Sequence, residues 1–208
     1  MRLNRRAARL AATLCVVLWA APFAAAAEPA SASAVPWDLM QLMRSLRQVR
    51  SASGQFTERK TVHMLNAPLV SSGTLSYVAP DRVQKVTLSP TPERFVLDGD
   101  QVTIAGGPDQ QTHTFALTDY PQIGGLVEGI RATLAGDLQT LDRYYDLQLT
   151  GDAANWQLLL QPKDTDLTRF VKWIRIIGTQ NRIRAVETEE SDGDRSEMSI
   201  TEDARDAR

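Results

Sequence analysis

The side chains that most often act in catalysis or metal binding are few in this sequence, and they do not form a group. The only two histidines, His63 and His113, both fall in predicted strands. No Asp, Glu or further His lies near either one at a spacing that would complete a metal site. We therefore interpret both as ordinary strand residues and predict no metal ion.

Two acidic stretches are the remaining candidates for chemistry. Glu190-Ser-Asp192-Gly-Asp194 contains the residue types of a calcium loop, but the residue order of an EF-hand loop is missing, so a hairpin turn is the better interpretation. Asp98 and Asp100 flank a turn glycine, which favours solvated carboxylates. The sequence has no nucleophile elbow, phosphate-binding loop or dinucleotide fingerprint. It therefore predicts no catalytic residue, no cofactor and no enzyme.

The start of the chain has the pattern of a secretory signal peptide. Residues 1–9 contain four arginines and no acid, residues 10–23 are mainly apolar, and four alanines precede Glu28. The apolar run is shorter than the roughly 20 residues of a membrane-spanning helix. We predict that residues 1–27 are removed on export to the periplasm. Cys15, the only cysteine, lies within the apolar run after Leu14, which is not the pattern of a lipidation site.

The predicted mature chain has neither cysteines nor a basic surplus. It therefore has no disulfides or thiolate chemistry, and we expect it to be soluble and monomeric. Without the four arginines it has 19 basic and 25 acidic residues, a net charge of −6. This balance argues against nucleic acid as a partner. We predict a disordered leader over 28–36, one domain over 37–200 and a charged tail over 201–208.

The hydrophobic pattern predicts a mainly β domain with helices at two places. Apolar residues recur at helical spacing from about Pro36 to Val49, and again over 121–142. Between and after these segments, short alternating strands are bounded by Pro, Gly and Asp, which is typical of an antiparallel meander. The glycine-rich segment 121–142 is either a mobile lid or a helix whose glycines allow close packing, and we favour close packing slightly.

Four stretches carry a resemblance to a known family. They are Ser51–Glu58; Gly73–Pro80 continuing through Val83–Lys85, Pro92 and Asp98-Gly99; Leu134–Asp137 with Leu141 and Tyr144-Tyr145; and Leu160–Lys163 with the strands Val171–Ile177 and Ile183–Glu189. Their order and spacing resemble the LolA-type outer-membrane lipoprotein carriers, most closely the divergent LolA-related branch. Two features differ from those carriers: Ala79 stands where they place an arginine before the proline, and we expect no C-terminal extension after Ile200.

The resemblance implies an open, unclosed antiparallel β-barrel, or half-barrel, with a helical lid over an apolar cavity. Such carriers act as lipid-binding chaperones in outer-membrane biogenesis. They hold the acyl chains of lipoproteins or other lipid-linked cargo and pass them from an inner-membrane donor to an outer-membrane acceptor. The residues that we expect to bind the ligand in this cavity are large and apolar, and the strand pattern alone does not separate cavity wall from packed core: Phe56, Leu75, Tyr77, Phe95, Leu97, Phe115, Leu126, Ile130, Leu134, Trp156, Leu158 and Trp173.

Two alternatives stay open at this stage. An envelope signalling or interaction protein on the same scaffold would sense lipid or protein ligands and would have a stable partner. A pathway enzyme on that scaffold would need polar groups converging in the cavity, for which Arg94 and Arg175 are the basic residues to check.

Overall fold

The structure is a computed structural model that describes residues 37–108 and 110–203. Eleven strands and three α-helices make up this part of the chain. The helices are α1 (Leu39–Arg47), α2 (Pro121–Ala135) and α3 (Leu138–Tyr144). The strands are β1 (Ser51–Thr61), β2 (Leu69–Val78), β3 (Arg82–Ser89), β4 (Glu93–Asp98), β5 (Gln101–Gly106), β6 (Gln111–Ala116), β7 (Tyr145–Asp152), β8 (Asn155–Pro162), β9 (Val171–Thr179), β10 (Arg182–Glu190) and β11 (Arg195–Glu202).

All the strands join into one antiparallel sheet that does not close. The strand order is β6-β5-β4-β3-β2-β1-β11-β10-β9-β8-β7, so the first and last strands of the domain meet in the middle and β6 and β7 form the edges. The predicted fold class, mainly β with an unclosed antiparallel sheet and helices, is confirmed. The predicted signal peptide, the leader and residues 204–208 lie outside the described residues.

The first helix begins later than its apolar pattern suggests. Asp38 is the N-cap, and its Oδ1 accepts a hydrogen bond from the backbone N–H of Gln41 at 2.8 Å. Leu42, Met43 and Leu46 are buried on one side. Arg47 in the last turn donates to the carbonyl of Gly136 at 2.8 Å, at the C-terminal end of α2. α1 therefore holds the C-terminal end of α2, the helix that connects the strands up to β6 with those from β7 onward.

The helical segment predicted over 121–142 is two helices. Gly136 has φ +63°, a left-handed conformation that ends α2, and Asp137 then caps α3 by accepting from the backbone N–H of Thr140 at 3.1 Å. The single-helix prediction was wrong at this point, because a Gly-Asp pair can serve as both a helix stop and a helix start. No helix within 37–108 and 110–203 is long and apolar enough to span a membrane.

The glycines of α2 allow close packing. A Cβ on Gly129 would lie 2.8 Å from the ring of Tyr145, and a Cβ on Gly125 would lie 2.9 Å from Leu167. Tyr145 is fully buried, and its hydroxyl donates to the carbonyl of Gly125 at 2.8 Å. Burial raises the pKa of this phenol, which stays protonated. The structure thus agrees with the close-packing interpretation of these glycines.

Candidate functional site

An apolar cavity of about 240 Å³ lies between the inner face of the sheet and α2. Strands from both ends of the meander contribute to it, from β4 on one side to β9 on the other. In a flat sheet six strand spacings would separate β4 from β9 by about 29 Å. One small cavity can touch both only because the sheet curves around it. Its lining is Ala52, Ser53, Gly54, Leu75, Ser76, Tyr77, Val83, Lys85, Phe95, Leu97, Val127, Ile130, Arg131, Leu134, Ile176, Ile183, Val186, Met198, Ile200 and Glu202.

One face of α2 forms a wall of this cavity. Val127, Ile130, Arg131 and Leu134 recur three and four residues apart, which places them along the same side of a helix. The glycines at 125 and 129 lie on a different side, against Leu167 and Tyr145. α2 therefore has two different faces. The face with Gly125 and Gly129 packs against side chains, and the face with Ile130 borders the cavity.

Tyr77 lies at the β2 end of the cavity, where the chain turns into β3. It is buried, and its hydroxyl donates to the carbonyl of Pro80 at 3.3 Å. Burial and the nearby Asp81 carboxylate raise the pKa of Tyr77 above its ordinary value. The phenol is therefore a neutral part of the wall.

A polar network lies on the inner face of the sheet beside the cavity. The Nζ of Lys85 is 2.6 Å from Glu58 Oε2 and 4.9 Å from the centroid of the Phe56 ring. Glu58 also accepts hydrogen bonds from the hydroxyls of Ser196 at 2.6 Å and Ser71 at 3.4 Å. Burial alone would raise the pKa of Glu58, but the hydrogen bonds from Lys85 and Ser196 lower it below its ordinary value.

A second cation, Arg131, lines the cavity from α2. Its Nη2 and Nε donate to Glu128 Oε2 at 2.6 and 3.1 Å, one helical turn away. Burial would lower the pKa of Arg131, and the hydrogen bonds to Glu128 raise it. Arg131 is therefore permanently charged at the cavity wall.

The sequence also matches a known protein family. Residues 28–208 match the family described as outer membrane lipoprotein carrier protein LolA-like. The chain belongs to this LolA-like family. No curated protein is significantly similar to it in sequence.

Solved structures similar to this LolA-like chain share little sequence with it. A LolA superfamily protein from Nitrosomonas europaea is 12% identical, with 84% of this chain and 96% of that chain covered and a TM-score of 0.41. A DUF1329 family protein from Desulfovibrio piger is 10% identical, with coverage of 79% and 89% and a TM-score of 0.43. The MucA/MucB complex structure from Pseudomonas aeruginosa contains a chain that is 16% identical, with coverage of 82% and 57% and a TM-score of 0.41.

The structure brings half of the predicted apolar residues of the LolA-like chain together at the cavity. These are Leu75, Tyr77, Phe95, Leu97, Ile130 and Leu134. Phe56 is buried on the same face of β1 as Gly54, under the ammonium of Lys85. Phe115 packs against the small cluster formed by Leu97, Val102 and Leu117.

The other predicted residues lie elsewhere. Trp156 and Leu158 are fully buried in the main core, and Leu126 packs against that core. Trp173 alternates along β9 with the buried Ile174 and therefore faces the outer side of the sheet, where Arg175 stacks on its ring at 4.7 Å.

Sequence reasoning missed the contribution of the last strands to the cavity. Ile176, Ile183, Val186, Met198 and Ile200 line it because β11 pairs with β1 and closes the middle of the sheet. Alternation of apolar residues along β11 was a visible signal, but the pairing that aims it at the cavity is not local. The two cations Lys85 and Arg131 were also missed.

The two basic residues flagged at the sequence level lie outside the lining of this cavity. Arg94 is exposed and donates to Gln84 Oε1 at 3.0 Å. Arg175 pairs with Glu187 at 2.7 Å on the outer face of the sheet. These positions give neither arginine a direct role inside the cavity.

The acidic turn Glu190–Asp194 is held by hydrogen bonds and ion pairs. Asp194 Oδ1 accepts from the backbone N–H of His63 at 3.0 Å and lies 2.9 Å from its ring Nδ1. Lys60 binds Glu190 at 2.6 Å, and the backbone N–H of Asp194 donates to Asp192 at 3.1 Å. The three carboxylates are close enough together to hold a metal ion. The hydrogen bonds and ion pairs are enough to explain the turn, because they attach the β10–β11 hairpin to the end of β1 and to the residues that follow it. His63 follows β1 instead of lying within it.

Proposed function

We propose that this LolA-like protein is a periplasmic carrier. It binds the acyl chains of lipoproteins, or of related lipid conjugates, in the cavity under α2 and passes them towards the outer membrane. Its partners are the lipid-linked cargo, an inner-membrane donor and an outer-membrane acceptor. It works as a monomer, without a cofactor and without catalysis.

The observation that supports this proposal is the apolar cavity itself. Side chains from seven strands and one helix surround space that they do not fill, and the lining is almost wholly apolar. Each CH₂ group that moves from water into such a site contributes about 0.8 kcal/mol. An acyl chain is therefore stable in the cavity, whereas it would not cross an aqueous compartment alone.

In this proposal, the release of cargo depends on the relative affinities of the carrier and the acceptor for it. With no nucleotide site or other energy source in the proposal, cargo moves only to an acceptor that binds it more tightly. α2 forms one wall of the cavity, so its displacement from the sheet is the motion that would admit and release a chain. The packing of Gly129 against Tyr145 limits how far α2 can move without breaking the core.

The test introduces a charge into the cavity wall at a residue that the fold can spare. Ile130 lines the cavity and is 36% exposed, so Ile130→Glu leaves the main core intact. The full chain is expressed in a Gram-negative host, and the protein is recovered from the periplasm and delipidated. We expect the neutral probe N-phenyl-1-naphthylamine to bind the wild type and to bind Ile130→Glu at least about tenfold more weakly.

The matched control is Met64→Glu, which adds the same charge at a residue that is 81% exposed and lies outside the cavity lining. It should bind the probe like the wild type. Equal probe binding by all three proteins, or none by the wild type, would contradict the carrier proposal. Capture of a stable protein partner by the apo protein would then favour the interaction-protein alternative.

A further inference from the structure

Cationic groups border a cavity that is otherwise apolar. Lys85 and Arg131 belong to its lining, whereas their acidic partners, Glu58 and Glu128, do not. The acid that does line it, Glu202, is 3.4 Å from the Nε of Arg182. Nearly all of the cavity surface is apolar, so these charged ends lie at its edge, where two cations stand against one acid.

Glu58 and Phe56 fix the position of the Lys85 ammonium. Glu58 uses both of its carboxylate oxygens, one for Ser196 and the other for Lys85 and Ser71. A carboxylate held this way orients the lysine instead of following it. Phe56 supports the ammonium from another side, with its ring centroid 4.9 Å from Nζ.

The ammonium of Lys85 has capacity left for a ligand. It carries three N–H groups, and in the described part of the chain the hydrogen bonds of Nζ go to a single acceptor, Glu58. The side chain is 30% exposed and borders the cavity. The remaining N–H groups are therefore available to a ligand group that lies at the edge of the cavity.

Stability of the fold is a weak reason for this ion pair. Partly exposed pairs contribute little, because solvent screens them and two long side chains lose freedom. An apolar residue at 85 would extend the wall formed by Val83 and Phe95 without placing a charge beside hydrocarbon. A ligand with an anionic end would interact with the lysine ammonium, whereas a purely apolar ligand would not.

We propose that the cavity selects acyl ligands that carry an anionic oxygen, a carboxylate or a phosphate, and that Lys85 donates a charge-assisted hydrogen bond to it. This inference rests on the proposed carrier function and, of the two cargo classes named there, selects the lipid conjugates, because the ester and amide links of a lipoprotein's acyl chains carry no anionic oxygen. Arg131 adds attraction for the same group from the α2 wall, while its guanidinium remains paired with Glu128. Both sources of the anionic oxygen share this chemistry and differ only in charge and size.

The test compares ligands with the same chain and different ends. Dodecanoate, dodecyl phosphate and dodecanol displace N-phenyl-1-naphthylamine from delipidated protein at pH 8, where both acids are ionised. We expect Lys85→Met to weaken the two anions about tenfold and to leave dodecanol within about twofold of the wild type. The anion that loses more affinity identifies the preferred end group.

Two further variants keep the result interpretable. Lys85→Met with Glu58→Gln removes the carboxylate that the single variant leaves unpaired, and it should show the same selective loss. Lys172→Met, on the outer side of the sheet with Glu189 as its partner, should change nothing. Equal weakening of all three ligands by Lys85→Met, or no weakening of any, would overturn this inference while leaving the carrier proposal standing. Failure of the wild type to bind any of them would contradict both.

Discussion

In two regions of this sheet, apolar residues on the inner faces of the strands serve different purposes. In the packed region (β7–β9 with α1 and α3), Leu42, Leu141, Trp156, Leu158 and Ile174 are all fully buried. In the cavity region (the inner faces of β1–β4, which line the cavity beneath α2 together with residues of β9–β11), Leu75, Val83 and Phe95 are only partly buried, and open space lies between them. An apolar strand face becomes a core where helices fill the space above it, and a cavity wall where they do not.

The largest expected effect comes from making the same substitution in both regions. Leu158→Ala removes a fully buried side chain from the packed region and should lower the free energy of unfolding by about 2–5 kcal/mol. Leu75→Ala only enlarges an existing cavity and should cost about 1 kcal/mol or less. Urea denaturation of the two variants measures both values. Equal costs would break the distinction between the regions.

The second prediction concerns the helix that both regions share. In Gly129→Ala the new methyl group would lie 2.8 Å from the Tyr145 ring, so α2 or Tyr145 must shift. Overpacking of this kind should cost about 1–3 kcal/mol. Because α2 forms a wall of the cavity, a shift of α2 should change the binding of N-phenyl-1-naphthylamine as well.

Gly124→Ala is the control, because a Cβ there meets nothing closer than the carbonyl of Leu117 at 3.9 Å. It should be neutral or slightly stabilising in a helix. If Gly129→Ala were as stable as Gly124→Ala, close packing between α2 and the packed region would not be what holds this helix.

The smallest expected effect is a difference in acid sensitivity. Hydrogen bonds lower the pKa of Glu58 below its ordinary value of 4.5, so its contribution to stability is present above that value and is lost as pH falls through the lowered one. Glu58→Gln should therefore be less stable than the wild type at pH 7, and the gap should narrow below about pH 4.5. Urea denaturation across pH 3–7 measures it. A gap that does not change with pH would show that the network does not favour the charged carboxylate.

Local signals in the sequence predicted most of the meander. Turn residues such as Asp98-Gly99-Asp100 delimit hairpins by their own conformational preferences, and Gly99 has φ +60° in the structure. The division of the helical segment at Gly136 was also encoded locally, by a glycine stop followed by an aspartate cap. It was missed because the apolar spacing on either side continues the same helical period.

The site was less predictable, since it depends on contacts between distant parts of the chain. Leu158 and Leu75 are both leucines on inward-facing positions of a strand, yet one is sealed in the core and the other borders the cavity. Only the curvature of the sheet and the positions of the helices decide which. Lys85 was overlooked because a lysine on a strand is usually solvated, and its pairing with Glu58 arises from the register of β1 and β2 with β3.

Native mass spectrometry of the protein recovered from the periplasm tests the central claim most directly. We expect a population carrying an acylated species, which organic extraction identifies and which is absent from Ile130→Glu but retained by Met64→Glu. A wild-type protein that is entirely free of ligand, and that takes up no added acyl probe, would contradict the carrier function.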